Sequence, residues 1–111
     1  MNEKPTWFER VIAVHTAVTD AVSHGQRLNS SRYFVWQEEG GEDFEANDRH
    51  IERGMRGTTD LFTKTEFDPW AADFEAALDA APDFAWYLNS VQFEQDTGFW
   101  HWEWVWAVRY G

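Results

Sequence analysis

The chain has 111 residues, with 20 aspartates and glutamates against 9 lysines and arginines, and a formal net charge of −11 at pH 7. This length predicts one domain with one core, spanning residues 1–111, and the hydrophobic content of 43% argues against disorder. The negative charge disfavours binding to nucleic-acid phosphates, and the absence of cysteine excludes disulfides and thiolate metal sites. The charged start MNEKPTWFER and the lack of an apolar run of roughly 20 residues argue against secretion and membrane insertion.

The first predicted element is an amphipathic helix over Thr6 to His24. Thr6 and Glu9 have the T-x-x-E spacing of a capping box, in which each side chain bonds the other residue's backbone N–H. Apolar residues then recur at three- and four-residue intervals, at Trp7, Val11, Val14, Val18 and Ala21/Val22. Gly25 is the predicted end of the helix. After the turn GQRLNSS, β-branched and aromatic residues predict a strand over Arg32 to Gln37.

Two contrasting segments follow this strand. The stretch EEGGEDFEAND has six acids in eleven residues, a glycine pair and no apolar period, which predicts an exposed loop. The segment from His50 to Thr65 places Ile51, Met55, Thr59, Leu61 and Thr63 in one parity. This alternation predicts a long strand, bent or bulged at Gly54 or Gly57.

The clearest local signals belong to the C-terminal part of the chain. Asp68 is the predicted N-cap of a second helix, Pro69 occupies its first position, and Pro82 ends it. Two alternating runs, Phe84 to Phe93 and Phe99 to Arg109, are joined by EQDTG and predict a hairpin. The predicted order is α-β-β-α-β-β. It indicates an α+β domain with an antiparallel sheet of about four strands and both helices on one face.

Residues that carry chemistry are few. His101 and Glu103 form an H-x-E pair, but zinc deaminases also need a P-C-x-x-C motif, so we interpret the pair as polar side chains facing solvent or a partner. His15 and His24 have no carboxylate at metal-ligand spacing, and the acidic stretch lacks the EF-hand order, which leaves an improvised calcium site as an alternative. The chain has no phosphate loop and no G-x-S-x-G motif. We therefore expect no enzymatic activity, no cofactor, no metal and no small-molecule substrate.

Tryptophan occupies every second position of the stretch FWHWEWVW. On a strand, Trp100, Trp102, Trp104 and Trp106 point to one face. Three interpretations are open: a core face under the helices, a platform for sugars, and a surface that another protein covers, since tryptophan is frequent at interface hot spots. Four indoles in line exceed what two short helices usually cover. We therefore expect some of these rings in the core and the outer ones at a subunit boundary.

Three segments resemble the tail-terminator or tail-completion proteins of long-tailed bacteriophages: RYFVWQEEG, HIERGMRGTTDLFTKTEFDPW and WYLNSVQFEQDTGFWHWEWVW. The likeness covers roughly residues 6 to 108. The shared elements are a leading helix, an early strand, a long strand ending in TDLFTK, a second helix and a closing hairpin. The resemblance implies a structural virion protein that forms a ring, commonly a hexamer, which caps the tail tube and contacts the neck. It implies no enzymatic activity and no functional motif that can be transferred residue by residue.

The resemblance also implies partners and a location. The partners are further copies of the chain, the major tail tube protein and a neck or head-completion protein, while genome DNA passes through without specific binding and no membrane is involved. The location is the tail or neck region of the virion, preceded by the host cytoplasm before assembly. Negative charge facing the bore of the tube would keep passing DNA from sticking.

The residues predicted to contact a neighbouring subunit or partner are aromatic or charged. They are Trp36, Trp100, Trp102, Arg49, Arg53, Arg56, Glu38, Glu39, Glu42, Asp43 and Glu45. Charge complementarity between the arginines of one copy and the acidic stretch of the next would set the register of the ring. Pairing of the arginines with the acidic stretch of the same chain is an equally open interpretation.

The net charge supports an alternative function from another class. A small domain with a charge of −11 could be an acidic DNA mimic that inhibits a host nucleic-acid-binding protein. Such a mimic would be a monomer or dimer with acids regularly spaced over one face. Here the acids concentrate at residues 38 to 48 and around the second helix. An aromatic sugar-binding module is a third hypothesis.

Overall fold

The computed structural model describes residues 3–47 and 50–110 of the chain. The elements in chain order are α1 (Thr6–Thr16), β1 (Val22–His24), β2 (Arg32–Gly41), β3 (Phe44–Asn47), β4 (His50–Glu52), β5 (Gly54–Thr63), α2 (Pro69–Ala80), β6 (Phe84–Glu94) and β7 (Phe99–Arg109). Neither helix in the described residues has the length and apolar character needed to cross a membrane.

Five strands form one sheet in the order β1-β2-β5-β7-β6, and β3 pairs with β4 as a separate antiparallel ribbon. Strand β1 is parallel to β2, whereas the other neighbours in the sheet are antiparallel. Both helices pack on one face, where Val14 of α1 and Phe74 of α2 share a core with Trp104 of β7. We call this the helix-bearing face and the opposite side the open face. The predicted α+β architecture is confirmed, with one strand more in the sheet than expected.

Helix α2 begins and ends where the sequence predicts. Asp68 is the N-cap, and its carboxylate accepts a hydrogen bond of 2.9 Å from the backbone N–H of Trp70. Pro69 occupies the first helical position, where no N–H partner is needed. The helix ends at Ala80, shortly before Pro82, which cannot continue it. The predicted closing hairpin is likewise present as β6 and β7.

Helix α1 lacks the predicted capping box. Its N-cap is Pro5, and no side chain caps the first turn, so Thr6 and Glu9 do not form the reciprocal pair. The start of the helix is held by packing instead, because the predicted apolar stripe is buried at Trp7, Val11 and Val14. Burial of this stripe against the sheet provides more stabilisation than one cap would.

Helix α1 also ends earlier than predicted, at Thr16 rather than His24. Residues Val22–His24 form β1 instead and pair in parallel with β2. This pairing links residues twelve positions apart in the chain and outweighs the local helical period. Gly25, with φ of +84°, follows the strand, and its N–H donates to the carbonyl of Trp36 at 2.8 Å. The glycine therefore ends a strand and not a helix.

The acidic stretch is largely strand, which corrects the predicted exposed loop. Strand β2 continues past Gln37 to Gly41, and β3 begins at Phe44. The continuation pairs with β5, with a register shift between Glu38 and Gly40. Its acidic side chains stay partly or fully exposed. Pairing with a long neighbouring strand thus overrides the low strand propensity of glutamate and glycine.

The predicted long strand from His50 to Thr65 is divided into β4 and β5. The break falls at Arg53, beside Gly54, where the sequence predicts a bend. A Cβ atom at Gly54 would clash with the ring of Phe44, so glycine allows the β3–β4 ribbon to approach the sheet. At Gly57 the pairing of β5 with β7 is regular, and the register shift beside it lies in the partner strand β2, between Glu38 and Gly40.

Candidate functional site

Strand β6 is an outermost strand of the sheet and has an uncovered edge. Within the described chain it pairs with β7 and with no other strand. Its 11 residues include no lysine and no proline, which commonly protect sheet edges, and its one irregularity is a register shift between Leu88 and Ser90. Large apolar side chains are exposed along it at Tyr87, Leu88, Val91 and Phe93. An edge of this length and character is suited to contact with another chain.

An apolar patch lies on the helix-bearing face towards the turn of the β6–β7 hairpin. This hairpin patch consists of Leu88, Val91, Phe93, Trp100 and Trp102. The register pairs Val91 with Trp102 and Phe93 with Trp100, and the ring centroids of Phe93 and Trp100 lie 4.9 Å apart. Every member of the patch is half-buried or exposed. The helices cover Trp104 and Trp106, which follow along β7, and leave the hairpin patch uncovered.

The four tryptophans of β7 divide into two buried rings and two partly exposed ones, and the buried pair is the inner part of the stripe, as predicted. Trp104 and Trp106 are fully buried, and the indole N–H of Trp106 donates to Thr59 Oγ1 at 2.9 Å. Trp102 stacks on Trp104 with centroids 5.7 Å apart, and its indole nitrogen has no hydrogen-bond partner in the described part of the chain. Trp100 is half-buried. The inner rings are confirmed as core, and partner contact by the outer two stays a prediction.

Trp36 lies in the core, which does not fit its prediction as a contact residue. It is 1% exposed and packs in one cluster with Trp106. The register explains this position, because Trp36 pairs with Thr59 and so faces the helices. In this conformation Trp36 has no surface to offer to a neighbouring subunit, and we omit it from the proposed interface.

The predicted acidic and arginine residues meet within the chain. Arg56 Nε lies 3.8 Å from the Glu39 carboxylate, and its Nη1 lies 3.6 Å from that of Glu42. Glu38 pairs with His24 Nε2 at 2.8 Å. Local pairing, one of the two open interpretations, is therefore present for Arg56, and contact with a neighbouring copy stays a prediction. Of the other predicted residues, Asp43 and Arg53 are exposed, whereas Arg49 and the side chain of Glu45 lie outside what the structure describes.

His101 is held on the open face by two carboxylates and does not act with Glu103. Its Nε2 lies 3.5 Å from Asp60, an ion-pair contact rather than an aligned hydrogen bond, and its Nδ1 lies 3.2 Å from Glu94. The contact with Asp60, helped by Glu94, raises the pKa of His101 against the effect of partial burial. Glu103 accepts instead from Asn89 at 2.6 Å. Residues 3–47 and 50–110 hold no group of three or more His, Cys, Asp or Glu arranged for a metal ion.

The open face has an apolar cluster of its own, partly covered by the loop of residues 25–31. Tyr33, Val35 and Phe62 are buried in this cluster. The guanidinium of Arg27 lies 4.0 Å from the centroid of the Phe62 ring, in a cation–π contact. The exposed large apolar side chains of the described residues are Leu28 in this loop, Phe67, and four on β6: Tyr87, Leu88, Val91 and Phe93. The exposure of Phe67 has no signal in the sequence and was not predicted.

No family model matches the chain, and no curated protein matches it in sequence. Among solved structures, the chain is similar to a chain from the particle described as "Virion of native gene transfer agent (GTA) particle". The identity is 11%, the alignment covers 92% of this chain and 89% of that chain, and the TM-score is 0.49.

Proposed function

We propose that this chain is a structural, non-enzymatic subunit of a phage tail-terminator ring of six copies. The ring caps the tail tube and joins it to the neck or head-completion protein, and genome DNA passes through it. The chain moves from the host cytoplasm to the tail or neck region of the virion on assembly. The sequence resemblance over roughly residues 6 to 108, together with the α+β order of the elements, supports this assignment.

The observation that carries the proposal is the uncovered edge of β6 with its adjoining hairpin patch. A ring subunit needs two different surfaces, each covered by a neighbour. A long sheet edge without lysine or proline is a liability in a protein that stays alone. Exposed Leu88, Val91 and Phe93 beside half-buried Trp100 provide an apolar centre for such a contact.

The charge of the chain makes this apolar surface more important. Copies that each carry a charge of −11 repel one another, so the attraction between them must come from apolar contact or from local opposite charges. Arg56 already contacts Glu39 and Glu42 of its own chain. This pairing lowers the net negative charge of the acidic stretch within each copy.

The proposal is tested by the oligomeric state. Native mass spectrometry and electron microscopy of the purified protein, alone and with the tail tube protein, should show closed six-fold rings. The same experiment addresses the alternative function. A chain that stays monomeric with the tube protein and competes with DNA for a basic protein would refute the ring and support a DNA mimic.

Two variants and one control locate the contact. Phe93→Ser and Trp100→Ala remove apolar side chains of the hairpin patch and should weaken the ring while leaving the monomer folded. Tyr87→Ser changes an exposed residue of the same strand on the open face and serves as the control. Rings of unchanged stability to dilution in both patch variants would show that the hairpin patch is not the contact.

A further inference from the structure

Phe67 projects from the turn between β5 and α2 into solvent. It is 80% exposed and has a φ of +56°, in the left-handed region that bulky side chains avoid. The next residue, Asp68, is buried, and its carboxylate accepts from Thr63 Oγ1 at 2.7 Å and from the Trp70 N–H at 2.9 Å. These hydrogen bonds hold Asp68 in place and so anchor the turn that carries Phe67. The fold holds a large aromatic ring in water on a strained backbone, as functional positions do.

An apolar groove lies between α1 and α2, beside the start of β6. It has a volume of about 420 Å³, and its lining includes Ala13, Val14, Ala17, Ala77, Ala81 and Phe84. The small alanine side chains leave the space between the helices open. The Arg10–Asp83 ion pair, 2.9 Å long, lies at the rim. An apolar cavity of about 150 Å³ already holds benzene, so this groove has room for a phenyl ring.

Phe67 and the groove lie at opposite ends of the domain. Thr63, four residues before Phe67, pairs with Trp100 at one end of β7. Phe84, which lines the groove, pairs with Val108 at the other end. Helix α2, with 12 residues and a length of about 18 Å, spans the distance between them. One chain therefore cannot fill its own groove with its own Phe67.

We infer that Phe67 of one copy inserts into the α1–α2 groove of the next copy. This inference rests on the proposed ring and names two surfaces that meet in it. A projecting ring and a groove at opposite ends form a heterologous contact, which repeats from copy to copy and closes when the rotation fits. Exposed Glu66, beside Phe67, comes to the rim near Arg10 and adds an opposite-charge contact between chains that otherwise repel.

Single substitutions on each side of the contact test the inference. Phe67→Gly removes the ring and suits the positive φ, so the monomer stays folded. Ala13→Leu fills the groove from an exposed helical position, and Ala72→Leu, exposed on α2 outside the groove, is the matched control. The first two variants should weaken self-association at least about 30-fold and the control should not, as measured by sedimentation over a concentration series. Circular dichroism checks that all three variants are folded.

Mixing the two defective variants gives the sharper result. The Phe67→Gly copy keeps an intact groove, and the Ala13→Leu copy keeps an intact Phe67. At a protein concentration at which each variant alone is monomeric, the mixture should form a one-to-one dimer that cannot grow, since its remaining ends lack either the ring or the groove. A mixture that stays monomeric overturns the inference.

The remaining outcomes separate this contact from the function. Undiminished rings in Phe67→Gly or in Ala13→Leu overturn the inference and leave the tail-terminator proposal standing. If Phe67→Gly loses the rings but Ala13→Leu keeps them, the groove is not the binding site of Phe67. The ring of Phe67 then contacts the tube protein or another surface of the neighbouring copy. Absence of rings in the unmodified protein, with or without tube protein, overturns both proposals.

Discussion

The Nε2 atom of His15 and the hydroxyl of Thr59 are joined by a hydrogen bond of 2.8 Å that ties helix α1 to strand β5. His15 Nδ1–H donates to the carbonyl of Val11 at 2.7 Å. A carbonyl oxygen can only accept, so Nδ1 carries the proton and Nε2 accepts from Thr59. Thr59 Oγ1 in turn accepts from the indole N–H of Trp106 at 2.9 Å. This buried chain of hydrogen bonds is complete only while the imidazole is neutral.

Acid should therefore weaken the fold through His15. Burial lowers the pKa of His15 from 6.5 to about 4, so the unfolded chain binds a proton at a higher pH than the folded chain. Above pH 6.5 the neutral side chain contributes fully to the free energy of unfolding. This contribution, about 3 kcal/mol, is lost as the pH falls to about 4. Urea unfolding of the unmodified protein and of His15→Leu between pH 7 and pH 4 measures the difference. Equal pH dependence in the two proteins would contradict the assignment.

Two strand glycines should respond differently to a methyl group. A Cβ atom at Gly57 would lie 2.5 Å from the Gln37 carbonyl and from the ring of Trp106, whereas one at Gly40 meets nothing within 4 Å. We expect Gly57→Ala to lower the free energy of unfolding by about 1–3 kcal/mol through overpacking. Gly40→Ala should stay within about 0.5 kcal/mol. Denaturant unfolding at pH 7 measures the stability of both variants. Equal losses would show that Gly57 is not closely packed against Trp106 and Gln37.

Trp104 and Trp100 of the β7 stripe should differ in how much their removal lowers the free energy of unfolding. Trp104 is 0% exposed, its ring centroid lies 5.0 Å from that of Phe74, and its indole N–H donates to Glu75 at 2.9 Å. Trp104→Ala should cost about 3–5 kcal/mol of stability. Trp100→Ala, at a half-buried position, should cost less than about 1.5 kcal/mol. Chemical denaturation of the monomers tests this, and similar losses would place Trp100 in the core as well.

Asp68 should stabilise the fold as the N-cap of α2 rather than take part in catalysis. Burial alone would raise the pKa of Asp68, but the hydrogen bonds from Arg32, from the Trp70 N–H and from Thr63 more than offset this effect and lower it. Asp68→Ala removes the cap and leaves these donors unpaired, which should cost about 2–3 kcal/mol. Asp68→Asn retains an acceptor oxygen, and we expect a loss of about 1 kcal/mol. Thermal and urea unfolding would contradict this role if the alanine variant were as stable as the asparagine variant.

Local signals predicted the elements whose partners are close in sequence. Asp68 and Pro69 mark the start of α2 because capping depends on a few adjacent residues. The closing hairpin was predicted because its two strands flank a short glycine-containing turn. The burial of Trp104 also followed from its parity on β7 together with the expected position of the helices.

Elements that depend on distant pairing could not be predicted in this way. The residues Val22–His24 continue a helical period, yet they pair with β2 residues twelve positions further along the chain. Residues 38–41 resemble a loop in composition, and their pairing with β5 makes them a strand. The period of a single segment contains no information about which neighbour it will meet.

The candidate contact surfaces were predicted only in part. Trp100 and Trp102 lie at a partly exposed end of the stripe, as expected, but Trp36 is buried because its parity on β2 turns it towards the helices. Phe67 carries no local signal, since its backbone conformation is imposed by the buried neighbour Asp68. Exposure of a phenylalanine in a tight turn is a tertiary property.

The sheet order β1-β2-β5-β7-β6 has a consequence for synthesis of the chain. Strands β6 and β7 are joined by residues 95–98, while β5 reaches β7 across the whole of α2. Strands β1, β2 and β5 are neighbours and all precede α2, but Trp104 and Trp106, which fill the core under the helices, arrive only with β7. A ribosome releases the N-terminal half first, so we expect helix α1 of the nascent chain to lack its tryptophan contacts until β7 pairs with β5.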